Sequence, residues 1–103
     1  MLNVILREEV KEYMRQHHHN EISLNLDNTG YIPGNVYTVT PHIHFEAPKD
    51  IENYETYLVD DVKVYVEKNV SAFDNTIEFV EESLLGIHRC HVNGVRLDKR
   101  IQI

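Results

Sequence analysis

The clearest pattern of apolar and polar positions in the chain lies between Asn53 and Glu67, NYETYLVDDVKVYVE. Two runs rich in Tyr, Val, Leu and Thr flank Asp60-Asp61, the pattern of adjacent antiparallel strands joined by a tight turn. In the second run Val62, Val64 and Val66 alternate with Lys63, Tyr65 and Glu67, which predicts one core face and one wet face. Upstream, Met1 to Leu6 reads as a short strand or extended entry. Arg7 to Gln16 reads as a helix, with Glu8 and Glu9 in its first turn and Leu6, Val10, Tyr13 and Met14 on one side. Glu21 to Leu26 alternates as a strand, and Asp27 to Asn35 carries two turn signals and reads as an exposed loop.

Val36 to Ala47 resumes as a long strand interrupted by Pro41, which predicts an edge strand, a bulge or two shorter strands. Lys68 to Asn75 reads as a turn region with Asp74-Asn75 at its apex. Thr76 to Val80 is a strand, Glu81 to Gly86 a short turn, and Ile87 to Val95 a final strand ending in Asn93-Gly94. One N-terminal helix followed by six or seven strands is an α+β domain with a mixed or antiparallel sheet.

Length changes this picture little: 103 residues make one domain, residues 1–103, with a single modest core. Hydrophobic residues at 42% and charged residues at 26% are the balance of a folded soluble chain. No apolar run approaches the roughly 18 residues of a membrane span, no signal-peptide pattern opens the chain, and one cysteine cannot form an internal disulfide. A cytosolic protein without a membrane partner is the expectation.

Charge is more informative. The net charge is −7, and nine acids lie between Glu52 and Glu82 against Lys63 and Lys68. An acidic body argues against nucleic acid as a partner, because that affinity comes from Lys and Arg neutralising phosphates. The tail from Ser83 reverses the balance, with Arg89, Arg96, Lys99 and Arg100 against Asp98. It reads as a last strand with a charged outer face or as a docking strip for an acidic protein partner.

Candidate chemistry is confined to histidines and one cysteine. His17, His18 and His19 follow the helix and read as solvated residues at its C-terminus, with Asn20 suited to the position just past the end. His42 and His44 share one face of their strand, and His88 and Cys90 share one face of the last strand. If those strands pair, His42, His44, His88 and Cys90 form a three-nitrogen, one-sulfur set suited to zinc or ferrous iron, within one chain or across a homodimer. In the competing reading both histidines face solvent, Ile43 and Phe45 fill the core, and Cys90 is a small buried hydrophobe. No nucleophile elbow, phosphate loop or HExxH is present, so an enzyme is not expected.

VILREEVKEYMRQ, ISLNL with its following loop, and YLVDDVKVYVEKNVSAFDNTIEFVEESLLG together resemble the HesB-like family. This is the fold of the A-type iron–sulfur carriers and of their small relatives with a Cys-Cys or selenocysteine motif. The resemblance implies a HesB-like sandwich and a link to iron–sulfur biogenesis. A-type carriers ligate iron with a cysteine in the loop after the first core strand and a C-terminal Cys-Gly-Cys. Here that loop is DNTGYIPGN and the chain ends GVRLDKRIQI, both without cysteine. The resemblance therefore implies a binding or accessory module that lacks the family's cluster ligands.

Overall fold

A computed structural model describes residues 1–32 and 36–100, and in 28–32, 36–38, 84 and 98–100 the backbone only. In chain order the elements are β1 (Asn3–Leu6), α1 (Glu8–Gln16), β2 (Glu21–Ile32), β3 (Val36–His44), β4 (Tyr54–Val59), β5 (Val62–Glu67), β6 (Thr76–Leu84), β7 (Ile87–Asn93) and β8 (Asp98–Arg100). The strands form two mixed sheets, one ordered β1-β6-β7 and one ordered β4-β5-β2-β3-β8. The α+β class and the N-terminal helix agree with the sequence reading. The core lies between the sheets, with Ile22, Leu24, Val64 and Val66 from one meeting Ile77 and Phe79 from the other, and Val10 and Met14 of α1 joining them.

Local chemistry accounts for these elements. α1 ends in a left-handed residue, but His18 (φ 58°) occupies that position instead of Asn20. The His18 and His19 amides donate to the carbonyls of Arg15 and Met14, which satisfies groups the helix end leaves open. The β4–β5 hairpin turns through Asp60 and Asp61, both with positive φ, as a two-residue turn requires. Lys11 ties this turn to α1 by reaching Asp60 Oδ2 and Glu8 Oε1, each at 2.8 Å.

Three expectations change. Tyr65 is buried, because β5 lies inside its sheet between β4 and β2, and its hydroxyl donates to Glu21 Oε2 at 2.6 Å. Asp27 to Ile32 is not loop: β2 runs on to Ile32 against β3, with a bulge between Asn28 and Gly30. The part of that expected loop at 33–35 lies outside the described residues. β6 continues through Glu81 to Leu84, so the next turn is only Leu85 and Gly86, with φ of 52° and 80°. The tail contributes a last strand, as one of its two readings had it: β8 pairs with Val36–Thr38 of β3.

Pro41 is accommodated without breaking β3. The amide of its partner Leu26 points away from β3 and donates to Glu67 Oε1 at 3.1 Å. Pro41 therefore occupies a non-hydrogen-bonded position toward β2, and its missing N–H falls on the side where β8 no longer reaches. Among the described residues nothing pairs with that side of residues 40–44, which leaves an open edge on β3.

Candidate functional site

β7 stands at the edge of the three-stranded sheet and β3 lies in the five-stranded one, so the pairing expected between them does not occur. β7 pairs with β6 instead, because the Leu85-Gly86 turn folds the two runs directly onto each other. That separates the four candidate residues. His42 and His44 are exposed on the outer face of β3, their rings stacked with centroids 6.4 Å apart, while Ile43 between them packs against the core. Asp27 Oδ2 lies 3.2 Å from His42 Nε2. Cys90 faces the other way, half-buried against the core. Among the described residues no group of three or more His, Cys, Asp and Glu side chains is placed to hold a metal ion.

His88 and Cys90 do share a face, as their i, i+2 spacing requires, and they help line a cavity of about 100 Å³ with Val10, Tyr13, Phe45, Glu81 and Arg89. Register places Glu81 opposite Cys90 and Ser83 opposite His88. The Glu81 carboxylate holds His88 through Oε1 and Nδ1 at 2.7 Å. Burial pushes the Cys90 thiol up to about 11, the nearby Glu81 charge adds to this, and the His91 amide partly offsets it. Its thiolate is therefore harder to form than an ordinary cysteine's, which weakens Cys90 as a nucleophile or metal ligand.

Aromatic rings form the outer wall. Tyr13 stacks obliquely on His17 with centroids 4.3 Å apart and on Phe45 at 5.3 Å, and His19 lies nearly parallel to Phe45 at 5.3 Å. His17 and His18 are exposed, as expected of helix-end histidines, but His17 and the half-buried His19 also join a ring cluster, because the left-handed turn at His18 folds the chain back over α1. Their consecutive order gave no signal of this. Nor did the sequence single out Glu81, Phe45 or Tyr13 as lining residues. Glu81 would have emerged had Leu-Gly been read as the hairpin turn.

A family model described as the CC/Se motif containing family matches residues 2–95. The chain belongs to the CC/Se motif family. No curated protein and no solved structure matches it. The family's description points to paired cysteines or selenocysteine, yet this member has a single cysteine, Cys90, and hence no Cys-Cys pair. An iron–sulfur cluster held by this chain alone does not fit its donors: clusters are held by several thiolates, and this chain has one cysteine. What the CC/Se-family chain does offer at this place is a small cavity with apolar walls, a carboxylate–imidazole pair at its mouth and an adjoining open strand edge.

Proposed function

We propose that this CC/Se-family protein is a non-enzymatic binding or accessory module of the cytosol, built on a HesB-like scaffold and related to iron–sulfur biogenesis proteins without being a cluster carrier. One observation carries the reading. The chain's single thiol packs against the core beside Glu81 with its pKa raised, so the scaffold retains a lined cleft but not the soft donors of a carrier. A binding role follows more directly from such a cleft than a catalytic one. The half-buried thiol has its pKa raised, and the imidazole of His88, which shares its face, is engaged by a carboxylate.

The test is anaerobic reconstitution of the tag-free protein with ferrous iron and sulfide, followed by desalting, an absorption spectrum and elemental analysis. The expected product is colourless and carries far less than one metal per chain. A stable iron–sulfur chromophore overturns the reading. One equivalent of zinc or iron that is lost on Cys90→Ala also overturns it, in favour of a metal-binding role.

A further inference from the structure

β7 presents an unsatisfied edge. The Leu85-Gly86 turn closes the β6–β7 ladder with the pair Leu84 and Ile87, which in a two-residue hairpin is hydrogen-bonded. Bonding then alternates along an antiparallel ladder. Ile87, Arg89 and His91 direct their backbone groups to β6, and His88 and Cys90 direct theirs to the open side. Nothing among the described residues pairs with that side. Across from it runs the open edge of β3, and between the two lies a groove of about 460 Å³ whose lining includes Pro41, Ile43 and Phe45 on one flank and Arg89, Cys90 and His91 on the other.

The groove has two faces of different chemistry. On the inner face the walls are Phe45, Ile43 and the half-buried Cys90, continuous with the small cavity at Val10 and Tyr13. On the outer face are Arg89, His91 and His42. Between Ile87 and Leu97 the chain carries Arg89, Arg96, His88 and His91 and no carboxylate, in a protein whose net charge is −7. Arg89 makes no ion pair among the described residues. The acids nearby are Glu82, opposite Arg89 in register, Glu81, engaged with His88, Asp27, engaged with His42, and, beside His88 on α1, Glu9 and Glu12, paired with Arg7 and Arg15. At the tip, Leu85 and Ile87 are 94% and 59% exposed, so apolar surface continues beyond the groove.

We infer that the β7 edge is a strand-addition site for an extended segment of a partner protein in which apolar and acidic residues alternate. The partner's backbone pairs with His88 and Cys90, its apolar side chains enter the cleft at Phe45 and Cys90, and its carboxylates meet Arg89 and His91. Main-chain bonds supply affinity and the alternate side chains supply specificity, as in other strand-addition interfaces. This names a partner class for the binding role proposed above and rests on that role.

The probe is a fluorescein-labelled synthetic peptide alternating valine and glutamate, titrated by anisotropy at moderate salt, with amide exchange followed by NMR. Binding is expected to protect the His88 and Cys90 amides. Arg89→Glu should weaken it by about tenfold or more and should in turn bind the peptide with lysine in place of glutamate. A version N-methylated on alternate amides should fail. No binding, protection elsewhere, or indifference to N-methylation overturns the inference. So does concentration-dependent self-association that protects the same amides, since the occupant would then be a second copy of this chain. These outcomes are separable from the reconstitution test: a peptide result leaves the absence of a cluster untouched, and a chromophore would overturn the functional reading whatever the peptide does.

Discussion

β3 and β7 carry similar sequences to opposite ends. Each places histidines at alternating positions (His42 and His44, His88 with Cys90), and each has an open edge along part of its length. On β3 the residues of the other parity, Ile43 and then Phe45, are apolar and turn inward, so the histidines face water. On β7 the other parity holds Arg89 and His91, so Cys90 and Val92 turn inward and His88 follows them to the mouth of the cleft. The face of a strand is chosen by its most apolar parity, and a chemically interesting residue goes wherever that choice takes it. A shared pattern of histidines is not a shared site.

The largest test of this contrast is at the end of β7. Gly94 has φ of 94°, and a Cβ there would collide with the Thr76 carbonyl oxygen of β6. At the strand's other end Gly86 has φ of 80° with nothing near the position of a Cβ. Gly94→Ala is expected to cost about 3 kcal/mol, from left-handed strain together with a backbone clash. Gly86→Ala should cost about 1 kcal/mol, from strain alone. Urea unfolding of both variants reads the difference. Equal losses would mean that the β6–β7 contact at Gly94 does not fix where β7 ends.

The second test concerns the inward face. With its pKa raised to about 11, Cys90 should react with iodoacetamide at pH 8 roughly a hundredfold more slowly than the same residue in urea-unfolded chain. The linked effect on stability has a definite sign. The thiol is neutral in both states below the ordinary cysteine range, so it contributes no pH dependence there. As pH rises from about 9 toward 11 the unfolded chain ionises first, and the folded state loses stability relative to it. Tyr65, raised chiefly by its hydrogen bond to Glu21, acts in the same direction, so the comparison must be with Cys90→Ala in the same alkaline series. A wild-type curve that parallels the variant's would place the thiol in water.

The sequence carried the fold further than it carried the site. Alternation in β2 and β5, the apolar side of α1 and the turn at Asp60-Asp61 are local signals, and they survive in the structure because burial and local geometry agree. Tyr65 was misassigned because nothing local shows that the outer face of β5, wet at Lys63, is covered at Tyr65. The four-residue His/Cys set does not converge within one chain, for a non-local reason. It required β3 to pair with β7, and strand partnership was settled by a two-residue turn, Leu85-Gly86, whose leucine is a poor advertisement for positive φ. The ring cluster of Tyr13, His17, His19 and Phe45 depends likewise on the single left-handed residue His18.

The smallest expected effect sharpens the comparison most. If His42 and His44 belong to a wet face, replacing both with alanine removes two exposed rings and the contact of His42 with Asp27. Exposed polar contacts of that kind contribute about 0–1 kcal/mol, so the double variant should stay within about 0.5 kcal/mol of the parent at pH 7. Ile43→Ala, one residue away, removes inward apolar contact and should cost about 2 kcal/mol. Thermal unfolding of the two variants side by side decides it. A large loss from the histidine pair, or a negligible one at Ile43, would reverse the assignment of faces on β3. It would also reopen a convergence of His42 and His44 with Cys90 that the described structure keeps on opposite sides of a sheet.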